Sequence, residues 1–379
     1  MREQEPDVRK KMIRKTDGGM RTMLERIRKG LGAGKALLMG CALGLAVLGA
    51  VPRAEAAKAP PKDLSYLLGM YQGNGALLLI RENRGGLEMV YRYDPADLDF
   101  TRSNIFPLTK LHFDSYTMQE EGPIMGTEVP VKFERDKDGN GVVCKAGGKR
   151  FARYFYPGQG HRAAVLFPVT AETWEQASKT AEAAVMPAKL AEGEVPAMTL
   201  VRKEVPGVRI DLRYAGDHNI FGRSIYPAGW DAWLAEPAAQ ALGRAQEVRR
   251  RQGYGLVVWE AYRPWRTSVL ARELFPKERQ GLMPPPAKGE DRNTGMSVDV
   301  SLYSLETGEP VDMVSDFDEL SPAQMPAYTG GTALQRQRRD LLADTMKEAG
   351  FRQGKEEWWH FTLDSDRTWA HLDRVPSMP

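Results

Sequence analysis

Strict alternation of apolar and polar positions marks the most informative stretch of the chain. In MSVDVSLY, Met296, Val298, Val300 and Leu302 fall on one face of an extended strand, and Ser297, Asp299, Ser301 and Tyr303 on the other. Similar runs predict strands at VRIDLRYA (208–215), GLVVWEAY (255–262) and WWHFTL (358–363). Helical spacing marks 237–253 and 333–350, stopped by Gly253 and Gly350. Further upstream, short apolar runs separated by turn residues, as in GALLLIRENRGGLEMVYRYD, predict an all-β module over 61–168. An Ala- and Glu-rich helix at 171–185 and the loose stretch MPAKLAEGEVPAM make a join over 169–196, after which 197–379 reads as mixed α and β.

The first residues follow a different plan. A basic stretch, RTMLERIRKGLGAGK, precedes an apolar run from Ala36 to Val51 and the small-residue pattern Ala54-Glu55-Ala56. That order is expected of an export signal over 1–56, and the apolar run is shorter than the roughly 20 residues a spanning helix needs. The mature chain is therefore expected to be periplasmic or extracellular, with no membrane attachment after cleavage. Of two cysteines, Cys41 falls inside the signal, which leaves Cys144 alone and rules out an internal disulfide. A length of 379 residues with 42% hydrophobic positions suits two ordinary cores. With 53 basic against 50 acidic residues, the net charge of +3 gives no reason to expect a nucleic-acid partner. The segment Asp136-Lys-Asp138-Gly-Asn140-Gly141 begins like a calcium loop, yet Gly147 stands where its last acid is required, so a hairpin turn is expected.

Three residues pose chemical questions. An Asp inside an apolar strand, as Asp299 is, must be ion-paired, hydrogen-bonded or bound to a metal. His360, in KEEWWHFTL, is either a satisfied core histidine or a metal ligand accompanied by an acid that can take a proton from metal-bound water. Alternation puts Glu356 on the His360 face and Glu357 on the other. Arg263 follows a buried run and is fixed by Pro264, where it can meet a carboxylate or a developing oxyanion, or simply lie on the surface.

Taken together, DLRYAGDHNIFGR, WEAYRPW, GMSVDVSLY, FDE and EWWHF, in that order, resemble the D-Ala-D-Ala dipeptidases of the vancomycin-resistance type over roughly 197–379. The resemblance implies an α+β zinc peptidase domain with a small antiparallel sheet that carries Asp299 and His360 on neighbouring strands, behind the β module. It implies zinc held by Asp299 and His360, Glu357 as general base, Arg263 stabilising the oxyanion, and Asp318 binding the substrate ammonium. Zinc-bound water would attack D-Ala-D-Ala or a related cell-wall peptide, with Glu357 moving the proton.

One position departs from that pattern. The family's third ligand is a His seven residues before the Asp, in a Ser-x-His-x-x-Gly run; here the run reads Glu290-Asp291-Arg292-Asn293-Thr294-Gly295. A guanidinium has no lone pair to donate, and Arg⁺ about 4 Å from Zn²⁺ is repelled by on the order of 8 kcal/mol at an effective dielectric near 20. Three arrangements remain open. Arg292 swings out while Asp291, Glu290 or His218 fills the gap; zinc binds weakly through Asp299, His360 and water; or Arg292 pairs with Asp299 in the metal's place. The last makes the chain a catalytically impaired homologue that binds a dipeptide or peptidoglycan. Action on longer D-amino-acid-containing wall peptides is a further alternative.

Overall fold

The computed structural model describes residues 59, 61–92, 104–120, 127–155 and 164–375, so the expected export signal (1–56) and Cys41 lie outside the described residues. Among the described residues, no helix is long and apolar enough to cross a membrane.

Eight strands form a closed antiparallel barrel: β1 (Gly69–Gly73), β2 (Ala76–Asn83), β3 (Gly86–Arg92), β4 (Asn104–His112), β5 (Ser115–Glu120), β6 (Thr127–Arg135), β7 (Gly141–Ala146) and β8 (Lys149–Tyr154). β8 closes the barrel by pairing with β1. Alternate residues fill the interior, among them Tyr71, Leu78, Ile80, Met89, Phe133 and Phe151. Cys144 lies there too, and burial pushes its thiol up to about 12. Asp136 to Asn140 is the turn between β6 and β7, with Asp136 Oδ1 accepting from the backbone N–H groups of Asp138 (2.9 Å) and Asn140 (2.8 Å).

β2 is apolar without alternation because both of its faces are covered. Leu78 and Ile80 point into the barrel, while Leu77 and Leu79 join Met70 and Val90 against Ala323 and Tyr328 of the C-terminal part. Glu82, buried at the end of the same strand, accepts from the backbone N–H groups of Gly85 (2.7 Å) and Ala333 (2.8 Å). One carboxylate thus closes a barrel turn and holds the first residue of a C-terminal helix.

Helix α1 (Ala171–Ala183), capped by Thr170, leads out of the β-rich part. A short ribbon of β9 (Met198–Leu200) and β11 (Trp233–Ala235) flanks a five-stranded sheet in the order β10 (Arg209–Ile210), β12 (Tyr254–Glu260), β13 (Ser297–Ser304), β15 (His360–Leu363), β14 (Phe351–Gln353). The sheet is antiparallel except for β10, which runs parallel to β12 at one edge. Helices α2 (Glu236–Arg250) and α4 (Ala333–Glu348) share a core with Val298, Val300 and Leu302, the apolar face expected of β13. Helix α3 (Trp265–Leu274) follows Arg263-Pro264. α4 starts where it does because Thr332 and Gln335 form a reciprocal cap: Gln335 N–H donates to Thr332 Oγ1 (3.1 Å) and Thr332 N–H to Gln335 Oε1 (2.8 Å).

Two expected strands are shorter than their apolar runs. VRIDLRYA keeps only Arg209 and Ile210 as strand; Arg213 to Ala215 form a 3₁₀ turn that buries Arg213 and Tyr214. WWHFTL starts its strand at His360, because Trp358 and Trp359 sit in a turn with both rings fully buried.

Replacing Glu82 by Ala leaves two backbone donors without their partner and is expected to lower unfolding free energy by roughly 2–3 kcal/mol. Urea denaturation of the full chain measures this; an unchanged midpoint would show that the carboxylate is not needed where barrel and helix meet.

Candidate active site

β13 lies between β12 and β15, and its register places Asp299 opposite Glu260 on one side and His360 on the other. The Asp299 side chain is completely buried, so each of its oxygens needs a donor. His360 Nδ1 lies 2.7 Å from Oδ1, while Oδ2 accepts from Arg292 at Nη2 (2.6 Å) and Nε (3.1 Å). Of the three arrangements open from the sequence, this is the one with Arg292 paired to Asp299. Burial would raise the Asp299 carboxyl pKa, but the Arg292 charge and the His360 hydrogen bond hold it below its usual range.

Arg292 is carried by a 3₁₀ turn, Asp291–Thr294, that ends at Gly295. Gly295 has φ 72°, and a Cβ there would fall 2.8 Å from Met198 Cε and 3.0 Å from the Ala235 backbone nitrogen. The turn can therefore change its other residues but not this glycine. Arg292 Nη2 also approaches Glu357 Oε2 (3.3 Å), and Nη1 approaches Glu290 Oε2 (3.5 Å).

Glu290 connects two cations. Its Oε1 accepts from Arg263 Nη1 (3.3 Å) and from the Ser268 hydroxyl. Arg263 is otherwise committed through Nη2 to Glu260 (3.0 Å) and through Nε to the Tyr226 hydroxyl (3.3 Å), which itself donates to Glu260 Oε1 (2.6 Å). All three guanidinium nitrogens are thus engaged in a closed network. Burial opposes the charge on Glu290, yet Arg263 and Arg292 together depress its pKa; Glu260, with burial dominant, is raised. The surface reading of Arg263 fails, since the side chain is buried and faces two carboxylates.

Asp318 sits across a small cleft of about 80 Å³ that it lines together with Tyr214, Arg263, Arg292, Phe317 and Glu357. Tyr214 Oη donates to its Oδ2 at 2.5 Å. Burial, with the neighbouring Glu357 charge, raises the Asp318 carboxyl to about 7. Its φ of 51° is left-handed, a conformation that non-glycine residues adopt only under constraint.

Of the expected site residues, Arg263, Arg292, Asp318 and Glu357 line this cleft, while Asp299 and His360 do not line it and join it through the Arg292–Asp299 pair. Glu357 rather than Glu356 faces it, because the turn at Trp358 and Trp359 breaks the alternation and leaves Glu356 exposed. His218 is exposed beside Asp217, and Asp291 accepts from Thr362, so neither enters the cluster. Tyr214, Tyr226, Glu260 and Ser268 were not among the site residues expected from the sequence. Only Glu260, an acid within the buried run VVWEAY, offered a signal there.

Asp299, Glu357 and His360 offer donor atoms within 4.8 Å of one another, a spacing found in metal clusters. The family's zinc centre nevertheless does not fit this arrangement. Tetrahedral zinc with bonds of about 2.0–2.1 Å holds its ligand atoms about 3.3 Å apart, whereas Asp299 Oδ1 and His360 Nδ1 are at hydrogen-bond distance, 2.7 Å. The other Asp299 oxygen is taken by a guanidinium that cannot act as a ligand.

A sheet-borne Asp and His with an acid just before the His match the peptidase-type motif order of the sequence. The family described as D-ala-D-ala dipeptidase matches residues 197–375. D-alanyl-D-alanine dipeptidases of Enterococcus faecium and Enterococcus faecalis (strain V583) are each 30% identical, covering 41% of this chain and 86% of theirs. That of Escherichia coli (strain K12) is 28% identical, covering 41% of this chain and 79% of its own. The chain belongs to the D-Ala-D-Ala dipeptidase family, and its β-barrel lies outside the matched segment.

Folded, Asp318 keeps its proton up to about pH 7; unfolded, it releases it near the ordinary carboxylate value of about 3.9. The folded state therefore binds more protons between these values, and stability falls as pH rises through that window. Asp318→Asn is expected to raise the melting temperature more at pH 8 than at pH 5. Equal shifts at both pH values would mean that the carboxyl does not titrate in this window.

Proposed function

We propose that this chain recognises D-Ala-D-Ala, or a short cell-wall peptide ending in it, through a dipeptidase site in which Arg292 stands in place of the metal. The observation that carries this reading is the buried Arg292–Asp299 pair. A free dipeptide bears an ammonium and a carboxylate. Asp318 suits the first once the ammonium displaces its proton, and Arg292, lining the same cleft, suits the second by exchanging its most exposed partner, Glu357, for the ligand carboxylate. Catalysis is impaired on two counts: Arg292 offers no ligand, and Arg263, the residue expected at the oxyanion, is tied to Glu260 and Glu290. The basic, apolar and small-residue order of residues 1–56 supports export to where such peptides occur.

A second reading, a zinc dipeptidase that cleaves D-Ala-D-Ala, is favoured by the family and by the Asp299, Glu357 and His360 donor cluster. It requires Arg292 to leave that cluster.

Elemental analysis and calorimetry separate the two. The unmodified full chain is expected to carry no stoichiometric zinc and to bind D-Ala-D-Ala without releasing alanine. Arg292→His is expected to gain zinc, and alanine release is expected only when Glu290→Ser is added, which frees Nη1 of Arg263 while Glu260 still holds Nη2. Zinc at about one per unmodified chain with alanine release would establish the second reading; no dipeptide uptake and no zinc would exclude both.

A further inference from the structure

The excursion between β13 and α4 that carries Asp318 touches the barrel on both sides of that residue. Val314 and Ala323 pack against the barrel's outer face, in one cluster with Leu77, Leu79 and Val90. The residue after each of these two seats bonds to Trp358. Ser315 Oγ accepts from its indole Nε1 (2.8 Å), and the Gln324 carbonyl oxygen accepts from its backbone N–H (2.8 Å). Trp358 directly follows Glu357, the other acid beside Asp318 in the dipeptide cleft. We propose that the barrel positions the two carboxylates of that cleft, with Leu79 as a positioning residue that fixes Ala323 and Val314 and, through them, Asp318 and Glu357. This role presupposes the dipeptide reading and falls to a residue outside the family match.

The backbone between the two seats needs such restraint. Asp318 and Leu320 have φ of 51° and 52°, both left-handed. Non-glycine residues keep that conformation only where their surroundings over-determine it. The exit of the excursion is held as well. Arg81 of β2 donates to the Thr329 carbonyl (3.2 Å), Arg336 of α4 to those of Gly330 (3.1 Å) and Gly331 (3.0 Å), and the Glu82 N–H of β2 to Gly331 (3.1 Å). Three successive carbonyls are thus fixed, two of them from β2.

Tyr214 and Arg292 touch the carboxylates themselves, Asp318 at Oδ2 (2.5 Å) and Glu357 at Oε2 (3.3 Å). Those bonds orient the tips of the two side chains. The separation of their backbones is set elsewhere, at Trp358, which joins both seats and lies fully buried against the rings of Trp259 and Trp359. Close-packed groups transmit a displacement instead of absorbing it. A cavity opened at Leu79 lets Ala323 and Val314 settle, and the backbones that carry Asp318 and Glu357 move with them.

Leu79→Ala and Ile80→Ala test this on one strand, since both side chains are fully buried, Leu79 facing the excursion and Ile80 the barrel interior. Urea denaturation is expected to show similar losses of overall stability for the two. Calorimetry of the full chain with D-Ala-D-Ala is expected to give at least about fivefold weaker binding for Leu79→Ala and a change within about twofold for Ile80→Ala. Without dipeptide, amide exchange at Trp358, relative to the amides that pair β12 with β13, is expected to rise at least about tenfold in Leu79→Ala and to stay unchanged in Ile80→Ala. Leu79→Met, which refills the seat, is expected to restore both readouts. Leu79→Val and Ile80→Val carry the same comparison if an alanine variant does not fold. Equal affinities in the two variants, or equal exchange at Trp358, would overturn the role assigned to Leu79. If the unmodified chain takes up no dipeptide, the reading of the cleft fails, and exchange at Trp358 alone then decides whether the barrel positions this wall.

Discussion

A carboxylate removed from water in the middle of a sheet stays ionised only if cations or donors meet both of its oxygens, and Asp299 imposes that condition on everything around it. The pairing of β13 with β15 supplies His360 to one oxygen, and the turn before β13 supplies Arg292 to the other. Arg292 is itself buried and carries more N–H donors than one Asp299 oxygen can accept from, so Glu290 and Glu357 complete its surroundings. Glu290 then draws in Arg263, and Arg263 draws in Glu260 and Tyr226. The Arg292 guanidinium thus propagates its demands through three further carboxylates and a second arginine. An ion attracts ligands from any direction around it. A guanidinium donates only in its plane, and the network has the fixed geometry that this requires.

The departures at 290 and 292 consequently form one structural event. A serine-sized side chain at 290 could not reach both arginines, and without Glu290 the two guanidinium groups would face each other across a buried space with less compensation. Burial strengthens this coupling, because the same charges on an exposed loop would be screened by water.

Much of this was legible in the sequence where one physical rule acts alone. The alternation of β13 identified its core face and left Asp299 needing a partner; the helices over Glu236–Arg250 and Ala333–Glu348 followed their spacing to within a few residues. Rules failed where they competed. Trp358 and Trp359 are both buried, so a turn replaces the strand that alternation required, and Glu357 takes the position that alternation gave to Glu356. VRIDLRYA looked like a strand, yet burying Arg213 and Tyr214 bends its second half into a 3₁₀ turn. The strands of the β module were visible but their closure was not, since closure depends on β1 meeting β8 across more than half of the module. The reach of Glu290 to two arginines was equally hidden, because it arises only when the turn and β12 come together.

The packing of β2 against Ala323 and Tyr328 bears on where this molecule can be divided. The family match begins at residue 197, beyond the barrel. Mechanically the division lies elsewhere: the excursion between β13 and α4 presents Asp318 toward one side and rests on the barrel's outer surface a few residues later. The barrel acts as a buttress for that excursion. A chain trimmed to its recognisable portion would retain every residue that identifies the family, yet would lose the support beneath one wall of its cleft. Ancestry and load-sharing draw different borders through the same polypeptide.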